Sequence, residues 1–355
     1  MTAIAEAAER SGGPRRSTAG WSAVALAAVA AAGAIGLMLG AVQVPPSAIA
    51  RWLWSAMPFA DHDALSPAQS VVLSQIRLPR VVLGAIVGGA LASSGAAYQA
   101  VFRNPLADPY LLGAASGAGL GVTIVLVTGY GGSGGVVPIL PLAAFVGALL
   151  SVGLAYRLGS SHAAGRTSTS LVLAGIAVAS FFTAAQTFVQ QQNADTVRQV
   201  YTWILGRLGT AGWREVILVL PYAAISLVTL FAHRRILDVL ALGDEEAQSL
   251  GISVRRTRAI IVLAASLGTA AAVAASGLIA FVGIIVPHFV RAVAGGSYRL
   301  VIGLSVAFGA AFLVLADVVA RTIVAPGELP IGVVTAVVGA PVFALAIRRS
   351  DRGRL

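Results

Sequence analysis

The apolar residues of this chain fall into long, nearly unbroken runs. A helix needs about 20 apolar residues to cross a bilayer, and each run approaches that length. The pattern therefore predicts an all-α, polytopic membrane protein with about ten transmembrane helices. The predicted spans are 21–43, 81–101, 111–129, 137–157, 170–191, 215–232, 258–276, 278–293, 301–321 and 331–347.

The boundary between the seventh and eighth spans is the least distinct one. Residues 259–290 are almost continuously apolar, a stretch too long for one span and short for two. It predicts a tilted, kinked or partly re-entrant helix. The first span exceeds the 7–15 residues of a signal-peptide core, so we expect it to be retained. Residues 1–20 and 348–355 are then short tails around a membrane domain at 21–347.

Composition and charge support this interpretation. Hydrophobic residues make up 57% of the chain and charged residues only 11%, whereas a soluble domain is typically about 25% charged. All 24 basic residues are arginines, and they lie at the ends of apolar runs, which argues against a nucleic-acid partner. With the N-terminus inside, 17 of the 24 fall on the inner side, so both termini are predicted to be cytoplasmic.

Missing residue types exclude several functions. The chain has no cysteine, so disulfides, zinc ribbons and thiolate catalysis are excluded. It has no lysine, so it cannot contain the phosphate-binding loop of P-loop ATPases. Its four histidines lack metal-ligand spacing, and no nucleophile–base arrangement stands out. We therefore predict no enzyme, and no metal or cofactor bound by this chain.

Polar residues recur along one face of the fifth predicted span. We call Ser180, Thr183, Thr187 and Gln190 the polar stripe, since they lie at i, i+3, i+7 and i+10. Polar side chains at membrane depth face protein or water rather than lipid. The stripe predicts either a helix that lines a permeation path or polar contacts between packed helices.

A compact connector follows the sixth span at residues 238–258, which we call the coupling loop. Gly243 separates two predicted short helices, and Asp244 is suited to cap the second. Glu245 and Glu246 suit its positive N-terminal end, and Gly251 suits its C-terminal stop. The pattern indicates either a rigid projection or an ordinary amphipathic connector. The residues assigned to it are Asp238, Leu242, Gly243, Asp244, Glu245, Glu246, Leu250 and Gly251.

Apart from Glu215 at the edge of the sixth span, one acidic residue, Asp317, lies inside a predicted span. Arg321 follows at i+4, so the sequence predicts an ion pair within one helix. An ion-coupled secondary transporter usually needs more intramembrane carboxylates or unwound half-helices. The sparse intramembrane charge therefore argues against that class.

An ordered series of short motifs resembles the FecCD-type permeases, the membrane subunits of ABC importers for iron chelates, haem and cobalamin. The motifs run from about residue 77 to 347, most of the chain. They are RLPR at 77–80, SGAAYQ at 94–99, FRNPLADP at 102–109, LG at 112–113, FVG at 281–283, VPH at 286–288, AD at 316–317, ELPIG at 328–332 and GAP at 339–341.

The resemblance implies a type II ABC importer permease fold with ten helices per subunit. It implies a homodimer or paralogous heterodimer, a path at the dimer interface with a contribution from the fifth helix, and a coupling loop that docks on separate ATPase subunits. Those subunits would bind ATP and Mg²⁺. An extracellular or periplasmic binding protein would deliver the substrate. Ser168 and Thr169 match a cytoplasmic gate by position.

Three arginines on the predicted outer side match positions that dock the binding protein in this family. They are Arg77, Arg80 and Arg321. Arginine forms bidentate contacts with carboxylates, which would fix the orientation of an acidic partner. The alternatives are headgroup anchoring for Arg77 and Arg80, and the Asp317 pair for Arg321.

The sequence thus favours a permease of a bacterial ABC importer, driven by a partner ATPase through alternating access. An iron chelate, as ferric siderophore or haem, is the first expectation for the cargo, and cobalamin is the alternative within the family. An ion-coupled secondary transporter and a structural or signalling membrane subunit are the alternatives outside it.

Overall fold

The structure is a computed structural model that describes residues 18–40, 44–55, 66–130, 139–160, 168–209 and 212–352. Every regular element in these ranges is helical. We label the main helices α1 (Thr18–Met38), α2 (Pro46–Ser55), α3 (Pro67–Val71), α4 (Leu78–Val101), α5 (Ala114–Val127), α6 (Ile139–Ser160), α7 (Ser168–Gln192), α8 (Val197–Ile204), α9 (Trp213–Leu242), α10 (Asp244–Ser249), α11 (Val254–Ser276), α12 (Val282–Ala294), α13 (Tyr298–Thr322) and α14 (Ile331–Arg352).

Each of the ten predicted spans overlaps one of these helices. Seven described helices are long and apolar enough to cross a membrane, and α5, α12 and the apolar part of α14 are shorter. The predicted all-α, polytopic membrane fold is confirmed. Helix α14 continues to Arg352, past the predicted end of the membrane domain at 347. Most of the predicted N-terminal tail lies outside the described residues.

The uncertain boundary between the seventh and eighth spans is a break in the helix rather than a tilt. Helix α11 ends at Ser276, and Gly277 and Phe281 both have φ near +70° (72° and 70°). A second non-helical segment, 102–113, packs against this break. The Tyr110 hydroxyl donates to the Ile279 carbonyl oxygen (3.1 Å) and accepts from the Ile279 amide (3.2 Å). These bonds satisfy backbone groups that a regular helix would pair internally.

Helix α4 is the centre of the bundle. It packs against α13, α11, α9 and α12, and nearly all of its residues from Pro79 to Val101 are buried. Glycines allow the closest of these crossings. A methyl group at Gly88 would overlap the carbonyl oxygen of Gly309 on α13, and one at Gly95 would overlap that of Gly283 on α12. Helices in lipid associate through such close backbone packing, since no hydrophobic force drives them together.

The crossing of α4 and α13 makes a direct prediction. Gly88→Ala should destabilise the protein by about 1–3 kcal/mol, because the added methyl group overlaps backbone that cannot move aside cheaply. Gly153→Ala is the matched control, since a methyl group there meets nothing within 4 Å. Thermal denaturation of the detergent-solubilised variants would measure both. Equal midpoints for the two variants would contradict the crossing.

Candidate functional site

The coupling loop folds as one short helix held between two glycines. Helix α9 runs without interruption to Leu242, so the first of the two predicted short helices is its end. Helix α10 follows Gly243, where an added methyl group would overlap the carboxylate of Glu246. Gly251 has φ of 79°, a left-handed value that favours glycine. The backbone conformation therefore favours glycine at Gly251, whereas Gly243 is limited only by the nearby Glu246 side chain.

Ion pairs fix α10 to the rest of the bundle. The Asp244 carboxylate accepts two hydrogen bonds from Arg258 Nη2 on α11, at 2.9 and 3.1 Å. Arg103, just after α4, lies 3.5 Å from the same carboxylate. Arg258 is buried. These contacts tie the start of α10 to both α11 and the end of α4.

Asp238 points towards the bundle rather than towards a partner. Its carboxylate accepts hydrogen bonds from the Tyr298 amide and the Ser297 hydroxyl, the latter at 3.0 Å. Arg299 Nε lies 3.4 Å from it. Asp238 thereby joins the last turns of α9 to the start of α13, where unpaired amides and the helix dipole favour a carboxylate.

The outer surface of the coupling loop carries exposed apolar side chains. Leu242 and Leu250 flank α10 and are 72% and 67% exposed. Glu245 and Glu246 are also exposed, whereas Ala247 is buried against the bundle. Large apolar side chains outside the membrane-spanning part of a protein often mark a surface for another protein.

Most of the polar stripe lines one open groove along α7. Ser180, Thr183 and Thr187 line it, and its volume is about 810 Å³. Gln190 is half-buried and does not line it, whereas Gln191 does. The three hydroxyl residues are exposed rather than packed between helices of the same chain. We call this surface the α7 groove.

The two predicted gate residues lie far from the α7 groove. Ser168 and Thr169 form the first turn of α7, and Thr169 is exposed. At a rise of 1.5 Å per residue, Thr169 lies about 17 Å along the helix from Ser180. The side chain of Ser168 lies outside the described part of the structure. The gate role of these residues stays a prediction.

Gln186 lies beside the α7 groove, although it is not part of the polar stripe predicted from the sequence. This residue is only 9% exposed and lines a second cavity that shares Thr183 with the groove. Gln186 lies at i+3 from Thr183, so the helical spacing contained the signal. The polar stripe instead includes the residue at i+4 from Thr183, which is Thr187.

Two of the three predicted docking arginines cap the end of α1. Arg77 Nη1 donates to the carbonyl oxygens of Leu37 and Met38, at 2.6 and 3.0 Å. Arg321 Nη2 donates to the carbonyl oxygen of Gly36 at 2.6 Å. The last carbonyls of a helix have no partner within it and carry its negative dipole end. The two guanidinium groups supply both a donor and a positive charge there.

The third arginine, Arg80, is the centre of an ionic network. Its guanidinium donates to Asp317 on α13 at 2.8 to 3.1 Å and to Glu328 at 2.8 and 3.0 Å. Arg321 Nε lies 3.5 Å from Asp317, so the predicted pair within α13 is present but secondary. The network joins α4 and α13 to the segment that precedes α14.

These three arginines are buried rather than exposed on the surface of the bundle. Arg77, Arg80 and Arg321 are 4%, 7% and 5% exposed. Their guanidinium groups are occupied within the chain, so headgroup anchoring of Arg77 and Arg80 does not describe them either. The sequence predicts that the three arginines lie near one end of the bundle. It does not predict their partners, which lie on segments distant in sequence. Docking of a binding protein at these positions stays a prediction.

The family of the chain follows from comparison with known proteins. The FecCD transport family matches residues 27–349. The chain belongs to the FecCD transport family. The ordered motifs and ten helices predicted from the sequence agree with this membership.

Individual FecCD relatives are permeases of ABC transporters. The uncharacterized ABC transporter permease YvrB of Bacillus subtilis is 40% identical over 90% of both chains. The cobalamin import permease BtuC of Halobacterium salinarum is 40% identical over 78% of this chain and 73% of its own. The hemin transport permease HmuU of Yersinia pestis is 39% identical over 79% of this chain and 84% of its own.

A solved structure shows the same architecture. An ABC transporter of the metal-chelate type in an inward-facing conformation matches with a TM-score of 0.77 and 25% identity, over 92% of this chain and 97% of its own. The FecCD assignment therefore rests on sequence and fold together. The relatives act on different cargoes, so the family alone leaves the cargo open.

The ionic network predicts a strong dependence on its buried acid. Asp317→Asn should destabilise the protein by about 3 kcal/mol, because it leaves buried arginine charge without its closest partner. Asp195→Asn is the matched control, since Asp195 is exposed. Thermal denaturation in detergent measures the difference. A midpoint for the Asp317 variant equal to that of the control would contradict the network.

Glu328 predicts the pH dependence of the same network. Hydrogen bonds from Arg80 hold the pKa of Glu328 below its ordinary value of 4.5. Its contribution to stability is therefore fully present above about pH 4.5 and is lost as the pH falls through the lower folded value. The melting difference between the wild type and Glu328→Gln should shrink on acidification. A difference that grows at low pH would refute this.

Proposed function

We propose that this chain is the membrane-spanning permease subunit of a bacterial ABC importer for an iron chelate, either a ferric siderophore or haem. Transport proceeds by alternating access and is driven by separate ATPase subunits that bind ATP and Mg²⁺. A cobalamin importer of the same family is the alternative. FecCD membership and the matched metal-chelate transporter support the class, and the hemin permease among the relatives supports iron.

The observation that carries this proposal is the anchored coupling loop. Exposed Leu242 and Leu250 offer apolar contacts to a partner, and buried Ala247 fixes α10 to the bundle. Asp244 ties the same helix to α11 and to Arg103. A partner that pushes on α10 therefore moves packed helices rather than a slack loop.

The anchoring suggests how ATP hydrolysis in a partner drives the permease. When the ATPase subunits close on ATP, they displace α10. The Asp244 contacts pass that displacement to α11 and to the end of α4, and Asp238 passes it to the start of α13. Because α4 packs against α9, α11, α12 and α13, its movement alters the whole bundle.

A second permease copy would complete the path. Helix α7 is largely exposed along its length, and Phe181 and Phe188 stand out from it at 70% and 63% exposure. We propose that the α7 grooves of two copies, in a homodimer or paralogous heterodimer, face each other across the path. The hydroxyl residues of the groove then contact the cargo. Ser168 and Thr169 lie at the cytoplasmic end of the path.

The distribution of arginines supports a membrane orientation and a docking site for the binding protein. Both termini lie in the cytoplasm of a multi-pass protein of the cell membrane, with the permease domain at 21–347 between two tails. An external binding protein delivers the cargo at the end of the bundle that holds Arg77, Arg80 and Arg321. Docking there requires Arg80 to exchange Asp317 or Glu328 for a carboxylate of the binding protein.

An ion-coupled secondary transporter is less well supported. Asp317 is the acidic residue that such a carrier would titrate, and it lies 2.8 Å from Arg80 and 3.5 Å from Arg321. Both arginines are buried with Asp317, so its carboxylate belongs to the ionic network that joins α4 and α13. A carrier that used Asp317 as its ion site would have to break these ion pairs in each cycle.

Docking of the ATPase is tested by charging the apolar surface of the coupling loop. Leu242→Asp combined with Leu250→Asp should abolish co-purification with the ATPase and cargo uptake in proteoliposomes, because a carboxylate in an apolar interface is costly to desolvate. Val324→Asp is the control, since Val324 is exposed and lies between α13 and α14. It should leave ATPase capture unchanged.

Two results would count against the proposal. Normal ATPase capture by the double variant would remove the coupling loop from the interface. Uptake by the purified permease alone, driven by a proton gradient, would favour a secondary transporter instead.

A further inference from the structure

A second cavity lies beside the α7 groove, between α5, α7 and α8. Its volume is about 270 Å³. The break at 277–281 and the 102–113 segment close one side of it through Leu278 and Tyr110. We call it the Gln186 cavity, and the lining residues that matter here are Tyr110, Ser116, Gly119, Thr183, Gln186 and Leu278.

Gln186 is a buried amide without a partner. It is 9% exposed, and its side chain makes no hydrogen bond to any residue in the described part of the chain. Its Oε1 lies against Gly119, where an added methyl carbon would be only 2.6 Å from it. The amide lines a cavity that has room for a hydrogen-bonding partner.

Some of the other polar groups of the cavity already form hydrogen bonds within the chain, and one does not. The Tyr110 hydroxyl is engaged with the backbone of Ile279, and the Ser116 hydroxyl donates to the Gly113 carbonyl oxygen at 3.0 Å. The Thr183 hydroxyl has no hydrogen bond to another described residue. Thr183 and Gln186 are therefore the groups that can donate to a ligand, and none of the lining residues carries a charge.

We infer that the Gln186 cavity is a subsite that binds the oxygen-bearing edge of the cargo during transport. Gln186 Nε2 and the Thr183 hydroxyl would donate to a carboxylate, carboxamide or hydroxamate oxygen at the rim of a metal chelate. The inference rests on the proposed function, and it names the residues that hold the cargo within the path.

Size and position support this division of the site. Ligand pockets usually measure about 300–1,000 Å³, so a cavity of about 270 Å³ holds an edge rather than a whole chelate. The α7 groove, at about 810 Å³, has room for the body. Thr183 and Ala179 line both, so one ligand can occupy the two together.

Cysteine protection tests the subsite in the assembled importer, because the chain contains no cysteine of its own. Ser116→Cys places a thiol in the Gln186 cavity, and Thr187→Cys places one in the groove alone. The complex of permease, ATPase and binding protein is reconstituted in nanodiscs. Haemin, ferric citrate and cyanocobalamin are the probes, and the one that the complex transports is used. Alkylation by a small maleimide is timed with and without it.

The expected result is slower alkylation of both thiols when the transported probe is present. Gln186→Leu should raise the probe concentration that half-protects Ser116→Cys by roughly three- to tenfold, the range for one lost hydrogen-bonding group. Gly119→Ala should act in the same direction, because it displaces the Gln186 amide. Gln192→Leu is the matched control, since Gln192 is exposed on α7 and lines neither space, and it should leave protection unchanged.

The other outcomes separate this inference from the proposed function. Protection of Thr187→Cys without protection of Ser116→Cys would keep the path and overturn the subsite. Full protection of Ser116→Cys in the Gln186→Leu variant would remove Gln186 from the subsite. Protection of neither thiol, or transport of none of the probes, would overturn the proposed path or cargo class together with the subsite.

Discussion

Polar groups inside a bilayer must find their partners within the protein, and the structure depends on that constraint. No water is present in the hydrocarbon to receive an unpaired amide, carbonyl or guanidinium group. Regular helices meet the requirement by themselves. Where the chain departs from a helix, side chains complete the pairing, as Tyr110 does for the backbone of Ile279. Gln186 is placed differently, because its amide lines a cavity rather than facing hydrocarbon.

The second organising feature is the density of contacts around α4. Gly88 and Gly95 bring its backbone against α13 and α12, so little space remains for independent movement of these helices. At one end Arg80 binds α4 to Asp317, and at the other Arg103 lies near Asp244 of α10. A single helix thus connects the ionic network of Arg80 to the coupling loop. A displacement at either end of α4 therefore moves the same helix.

The sequence predicts the fold well because the length of apolar runs reports directly on membrane spans. It leaves the break at 277–281 ambiguous, since apolar composition is the same in a helix and in a buried non-helical turn. The buried arginines could not be anticipated. The partners of Arg77 lie about 40 residues away in sequence, and Asp317, a partner of Arg80, lies 237 residues away. A local hydrophobic or polar pattern cannot predict pairs that are so distant in sequence. Local patterns located the coupling loop and three groove residues, but they grouped Gln190 with these and missed Gln186.

The capping of α1 bears on the order in which the chain assembles. The last carbonyls of α1 bond to Arg77 and Arg321, which follow α1 in the chain and are therefore made later. Domains of a nascent chain generally form from the N-terminus onward. Here α1 stays without part of its final bonding until Arg321 has been synthesised. A chain that ends before Arg321 would leave the Gly36 carbonyl without this bond, and only Arg77 would hold the end of α1.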